Sequence, residues 1–543
     1  MNIDSLSIEI TNFIPFMFLY AELHYRFKWL GSLYYKKEPE ILADVPYRIE
    51  PDNKIPILLF IKDAHIFPIK LSHVSIHIYQ SDKQIYFEDI NYNCDLMSRW
   101  WNNTIYINSQ NILGPITLKI LINYSLNGIK KQCITHNFPQ SNNHTLSCYV
   151  SKYHYPSDNK VQYGDLHYHS NLTEDMVEYG APLRETLIAA QSMGLNFYCN
   201  TDHSYDLDDK EGSWTETDPE LSKWKKSRQD IKNINNEKVF TSFIIPSEEL
   251  SLHNNKGNNV HALILNNSIF LPGSGDGSEK LFNFKSEYNI NNIQFNLEDN
   301  AICIAAHPYN PVPLLQRIFF KRGQWNRQDV LVDHLSGLQI VNGEMEAGFY
   351  EGIKIWIKLL LQGVKKYIYA GNDAHGNFNI YRQIKIPMLS LFEKDNQIFG
   401  KYRTGVFVDK TSDILSTIKA LKKGNCFVTN GPFLNLNIEV SDIIYKMGNK
   451  IPANKGKINL HIISTPEFGL IKEINIYKGI IGENNEQKYI TIYNPIKYEI
   501  KETYDVYTEI HCYFRCEVKI DSKNEKIFAL SNPIWLAPPT TPC

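Results

Sequence analysis

Residues 161–169 read VQYGDLHYH and residues 195–203 read LNFYCNTDH, two apolar runs that each stop on histidine. Between them, 182–193 (PLRETLIAAQSM) reads as a helix, with Pro182 at its first position and Gly194 just past its end. Further strand-like runs stand at 239–246 (VFTSFIIP), 259–265 (NVHALIL), 301–306 (AICIAA), 337–343 (GLQIVNG) and 366–372 (KYIYAGN). A second helix is expected at about 219–234, with Asp218 as its cap and Pro219 behind it. Seven strands alternating with helices across 161–430 predict a parallel, barrel-like α/β domain.

The flanks read differently. From Pro46 to Tyr153, short β-rich runs are separated by polar turns: IPILLFI (55–61), VSIHIYQ (74–80), NTIYINS (103–109) and ITLKILINYS (116–125). Their alternation and β-branched content predict an antiparallel sandwich. SDNKVQ (157–162) reads as a linker. After Asn430 come LNLNIEV (434–440), INLHIIS (458–464), EINIYKG (473–479) and IHCYFRCEVKI (510–520), a second β-rich region. The expected domains are therefore 1–158, 159–430 and 431–543, with β-sandwich-like ends around the α/β barrel.

Composition narrows the function classes. The 543 residues include 56 Lys or Arg and 59 Asp or Glu, a formal net charge of −3 that gives no general reason to expect nucleic acid or an anionic membrane as partner. Nine cysteines without a CxxC pair read as reduced thiols rather than a disulfide or zinc-knuckle framework. The apolar stretch Phe13 to Ala21 is short, contains Pro15, and follows Asp4 and Glu9 with no Lys or Arg before it. It reads as core packing rather than a secretory signal or a spanning helix, so a cytoplasmic protein is expected.

Metal-ligand residue types recur at the ends of the central strands. His167 and His169 are spaced i, i+2, so both imidazoles project from one face. Asp202 and His203 follow the second strand, Glu248 and Glu249 the third, His261 lies in the fourth, His307 ends the fifth, and Asp373 and His375 follow the seventh. Such groups from several strand ends would meet at one mouth of a barrel, where imidazoles suit Zn, Fe or Mn and a carboxylate can bridge two cations. Single spellings are weak, because Asp63-Ala64-His65 and Asp333-His334 repeat two of them outside that context. The order of the whole set is what carries the reading.

YGDLHYHSNLTED, GLNFYCNTDHS, IPSEELS, NNVHALIL, IAAHPYNP and AGNDAHG resemble, in that order, motifs of the PHP (polymerase and histidinol phosphatase) superfamily. The GDLHxHS opening and KKGNCFVTNGPFL (422–434) are most similar to its carbaryl-hydrolase-like CehA/McbA branch. That resemblance implies a distorted (β/α)7 barrel holding two or three divalent cations. It implies His167, His169, His203, Glu249, His261, His307, Asp373 and His375 as ligands, with either Glu174 or Asp175 completing the set. Asp165 and Asp202 are expected to orient the histidines. His253 and His334 are read as surface residues, Glu344 and Glu346 as pocket-lining or solvated, and 205–236, with Trp214 and Trp224, as a lid.

The activity so implied is metal-dependent hydrolysis of a small-molecule carboxylic, carbamic or phosphoric ester. A metal-bridging hydroxide would attack, with Glu249, His307 and Asp373 in catalytic roles. A PHP-type phosphatase, an amidohydrolase-type barrel and a non-catalytic metal-binding module are the alternatives. No Arg directly follows the AHP motif (Arg317 is the first), which weighs against a phosphomonoester substrate. Self-association through the β-domains is a further expectation.

Overall fold

A computed structural model describes residues 37–137, 144–158, 160–173, 180–211, 216–275, 285–312, 317, 321–379, 383–386, 389–392, 397–409, 413–522 and 525–538. The Phe13–Ala21 stretch lies outside them, as do Glu174, Asp175 and Trp214. Among the described residues no helix is long and apolar enough to cross a membrane.

The chain divides into two compact units. The first comprises Met1–Lys152, Glu174–Met193 and His375–Ile398. Its strands Glu40–Asp44, Ile55–Lys62 and Trp100–Ile107 form one antiparallel sheet. A second sheet centres on Gly114–Leu126, which pairs antiparallel with Ile69–Gln80, Leu146–Val150 and Ile129–Ile134. Along Gly114–Leu126 the side chains alternate buried and half-buried, so Ile116, Leu118, Ile120 and Ile122 face one core. The helix Leu183–Ser192 belongs to this unit, with Pro182 at its N-cap.

The second unit comprises Tyr153–Thr173, Gly194–Ala374 and Phe399–Cys543. One long curled sheet runs Tyr367–Gly371, Leu335–Asn342, Ile302–Ala305, Asn259–Leu265, Phe243–His253, Phe197–Asn200, Val161–His169, Arg403–Phe407 and Cys426–Thr429. It then continues through Phe528–Ser531, Cys512–Ile520, Ile471–Ile480 and Gln487–Tyr493, so strands before and after residue 430 share one sheet. A separate sheet pairs Phe433–Val440 with Lys455–Ile463 and Ile443–Lys446.

This architecture corrects the expected α/β class and (β/α)7 barrel. Among the described residues the chain is mostly β, 46% strand against 14% helix, with several sheets and a curled half-barrel. The reason is local. Phe243–His253 runs antiparallel to Asn259–Leu265 across a five-residue turn whose Gly257 has φ 74°. Parallel neighbours need a crossover of a dozen or more residues, and Asn254 to Asn258 cannot supply one. Asn259–Leu265 is also antiparallel to Ile302–Ala305. Among the described residues, four pairs of the curled half are parallel: Val161–His169 with Phe197–Asn200, Phe197–Asn200 with Phe243–His253, Ile302–Ala305 with Leu335–Asn342, and Leu335–Asn342 with Tyr367–Gly371.

The curl nevertheless brings its first and last strands together. Asp373 N donates to His167 O at 2.8 Å, and Asn372 N donates to the Asp165 carboxylate at 3.0 Å. Gly371 permits this approach: a Cβ there would lie 2.6 Å from His167 Cβ and 2.8 Å from its backbone nitrogen.

Candidate metal centre

The Phe243–His253 strand passes straight through Glu248 and Glu249 and ends seven residues beyond Pro246, where the apolar run suggests a strand end. Alternation then sends the two carboxylates to opposite faces. Glu248 accepts hydrogen bonds from Trp224 Nε1 and Arg228 Nη2, both at 2.7 Å, and so docks the helix Ser222–Asn235 on the sheet. That helix begins three residues later than expected, and the Asp218 carboxylate accepts from Ser222 N at 2.9 Å.

Glu249 turns to the concave side and meets five imidazoles. Its Oε2 lies 3.2 Å from His167 Nε2, 3.3 Å from His169 Nε2 and 3.1 Å from His203 Nδ1. Its Oε1 lies 2.8 Å from His261 Nδ1 and 3.0 Å from His307 Nε2. Asp373 Oδ1 completes the group, 3.2 Å from both His167 Nε2 and His169 Nε2. His167, His169, Glu249 and Asp373 form one set of convergent donor atoms, and His203, Glu249 and His261 a second that shares Glu249.

Two of these residues hold strained backbone. His307 has φ 63° and Asp373 φ 54°, the left-handed region that costs a side-chain-bearing residue about 1–2 kcal/mol. Such outliers cluster where geometry serves a site. Here the αL turn ends Ile302–Ala305 and swings the His307 ring to within 5.5 Å of His167, in parallel stacking.

The electrostatics are those of a basin for positive charge. Burial opposes charge on Glu249, yet His261, His167 and His203 hold its carboxyl well below the usual carboxylate range. Asp373 is likewise held low, against its burial, by His167 and His169. Burial also disfavours a charged His167, but Asp373 and Glu249 outweigh it and raise that imidazole to about 9. His203 goes the other way, down to about 4, through burial and the neighbouring His169. The His167 and His169 Nε2 atoms face each other at 3.0 Å, and at most one proton can lie between them. Imidazole lone pairs and carboxylate oxygens pointing at common points are the donor chemistry of a Zn, Mn or Fe site, and these residues could hold a metal.

His375 belongs to the first unit, whose segment His375–Ile398 it opens. Asp165 and Asp202 hold backbone and side chains rather than imidazoles. Asp165 accepts from the backbone nitrogens of His167, Asn372 and Gly400, and its buried carboxyl is raised to about 6 by burial despite those bonds. Asp202 gathers Ser170, Thr173 and Asn200. His253 is half-buried and its Nε2 accepts from Ser286 N; His334 is half-buried; Glu346 stands at the N-cap position of the helix Ala347–Leu361 without a side-chain capping bond. Three residues of the centre's surroundings escaped sequence reading: Gln339 and Asn342 on Leu335–Asn342, and Arg322, whose Nη2 lies 3.2 Å from His261 Nδ1. A glutamine inside the apolar run LQIV was the available signal.

No family model matches the chain, and no curated protein matches it. Among solved structures it is similar to a glycosyl hydrolase family 2 member from Bacteroides cellulosilyticus, at 9% identity and TM-score 0.19, over 92% of this chain and 63% of that one. A Paenibacillus sp. cycloisomaltooligosaccharide glucanotransferase follows at 10% and 0.19, over 91% and 71%. A Bacteroides uniformis β-glucuronidase follows at 11% and 0.17, over 92% and 61%. The chain thus spans under two thirds of the first and third of these proteins. TM-scores this low assign neither fold nor activity. The resemblance to the PHP superfamily and its CehA/McbA branch is corrected: no family model supports it, and the curled, mostly β sheet is not its barrel.

Proposed function

We propose that the protein is a metal-dependent hydrolase cleaving an ester-type bond, carboxylic, carbamic or phosphoric, at the Glu249 centre. The observation that carries this reading is one buried carboxylate within 3.3 Å of five imidazole nitrogens drawn from four chain segments. His167, His169, Glu249 and Asp373 would hold one cation, and His203 and His261, with Glu249 shared, a second. Divalent cations held there would supply Lewis acidity and lower the pKa of a water toward neutrality.

The chain's own groups do the rest. Glu249 places negative charge between the two donor sets and offsets cation repulsion. His203, His307 and Asp373 are the partly exposed members, at 13%, 12% and 16% of their side chains, so substrate approaches from their side. Asp373 and His307 stand there to take up and return the proton as water adds and the leaving group departs. Arg322, beside His261, offers a guanidinium fork to an anionic ester oxygen. That cation, absent from the sequence reading, favours including phosphoric esters among the substrates.

The test pairs elemental analysis of the purified chain with a panel of aryl carboxylic, carbamic and phosphoric esters sharing one leaving group. About two divalent cations per chain, and turnover lost to chelator and restored by metal, is the expected result. Hydrolysis undiminished in chelator would overturn it, and so would a metal-loaded chain inert to every ester.

A further inference from the structure

Strand Leu335–Asn342 carries two buried amides between a candidate ligand on the first strand of the curl and one just past its last. Gln339 Nε2 lies 2.7 Å from Asn342 Oδ1 and 3.3 Å from the Val341 carbonyl oxygen. A carbonyl only accepts, so this end of the Gln339 amide is its nitrogen. The other end, Oε1, therefore faces His167 Nδ1 at 3.0 Å as an acceptor. Nδ1 must carry a proton to donate to it, which leaves the lone pair of a neutral ring on Nε2, the atom turned toward Glu249 and Asp373. The same logic runs onward. Asn342 Oδ1 is occupied by Gln339, so Asn342 Nδ2 donates to Asp373 Oδ2 at 3.0 Å. Asp373 Oδ1 then remains for the centre.

We propose that Gln339 and Asn342 are positioning residues: a directed chain, His167 to Gln339 to Asn342 to Asp373, that sets the metal-ready tautomer of the imidazole and the presented oxygen of the carboxylate. Neither touches substrate. The inference rests on reading the Glu249 centre as a cation site, and it explains why an apolar strand gives two buried positions to amides. Orienting hydrogen bonds of this sort change metal affinity roughly 10- to 100-fold when removed.

The experiment uses the full-length protein and Co²⁺ as probe. Gln339→Leu and Asn342→Leu should each weaken Co²⁺ binding by about 10- to 100-fold and alter its visible spectrum. Gln339→Glu, which keeps the acceptor for His167 and loses the donor to Asn342, should fall between Leu and wild type. In metal-free wild type, the side-chain amide protons of Gln339 and Asn342 should exchange slowly by NMR, and Gln339→Leu should abolish the protection of Asn342. Leu variants that bind Co²⁺ within twofold of wild type with an unchanged spectrum would overturn the chain. So would wild-type amide protons exchanging at the solvent rate. A wild-type protein that binds no Co²⁺ but keeps its amide protection would instead overturn the metal reading and leave the hydrogen-bonded chain standing.

Discussion

The second unit buries two clusters of charge, and they are wired in opposite ways. At Arg515, on Cys512–Ile520, every group has a complement. The guanidinium grips Glu486 with two nitrogens, Nη1 donates to Glu517 Oε1 at 2.6 Å, and Tyr513 Oη donates to Glu486 at 3.0 Å. The Tyr477 ring lies 4.3 Å beneath the guanidinium. At Glu249, by contrast, acceptors and lone pairs crowd one another, ring nitrogen against ring nitrogen and carboxylate beside carboxylate. The first arrangement closes on itself and needs nothing more. The second has its donors aimed at shared points, and two of its members, His307 and Asp373, sit on left-handed backbone. Burial of charge alone does not mark a functional site; the direction in which the donors point does.

The largest effect expected from breaking this contrast is at Glu249. Glu249→Ala removes the carboxylate shared by these two donor sets, so bound cation and ester hydrolysis should both fall by more than about a hundredfold. Elemental analysis and turnover on the same preparation measure it. Full metal occupancy in Glu249→Ala would place the donors' common point elsewhere.

Arg515→Met tests the other side. It strands two carboxylates beside a buried position, and breaking a buried pair in this way costs about 3–5 kcal/mol. The urea midpoint should drop accordingly, while metal content per folded chain stays unchanged. Adding Glu486→Leu and Glu517→Leu should recover most of the loss, because a whole buried ion cluster can give way to apolar groups at little cost. The corresponding apolar replacement at the Glu249 centre should leave a folded chain without activity.

What the sequence made legible follows the same division. His167, His169, His203, Glu249, His261, His307 and Asp373 were readable because chemically specific residues recur in strand order, and the structure brings them together. The barrel was misread because buried Glu248 and Glu249 look like a strand end, whereas burial keeps them inside the strand. The hairpin turn Asn254 to Asn258 lies between two alternating runs and is too short for a helix, so arithmetic on that loop would have exposed the antiparallel pair. Gln339 and Asn342 belong to no motif, and the one signal is a glutamine standing inside the apolar run LQIV. Arg322 is reached through a loop, and no spacing rule predicts its place.

Arg322→Ala probes specificity at the same centre. A hydrogen bond to a charged group is worth about 1.5–3 kcal/mol, so kcat/KM on phosphoric esters should fall roughly 10- to 100-fold. Neutral aryl esters should change by less than about threefold if the guanidinium acts on substrate charge. Equal losses on both would make Arg322 a support for His261 instead. Asp63→Ala and His65→Ala, at the repeated DAH spelling in the first unit, should leave metal content and turnover alone.

The smallest effect is at the surface, where the contrast should vanish. Glu473 accepts from Asn475 at 2.8 Å, Lys519 at 2.9 Å and Lys488 at 3.2 Å. Those bonds, Asn475 first and Lys519 next, pull its carboxyl down to about 2 from an ordinary value near 4.5. A carboxyl lowered on folding stabilises fully above the unfolded value and loses that contribution as pH falls toward the folded one. The window here is therefore about pH 4.5 down to 2. Both lysines are roughly half exposed, so water and salt screen the pairs and the contribution should stay below about 1 kcal/mol. Glu473→Gln should flatten the change in urea midpoint between pH 4.5 and 2.5 slightly, and 0.5 M salt should erase the difference from wild type. A loss near that of Arg515→Met would mean that closed pairing, rather than burial, sets the strength of these clusters.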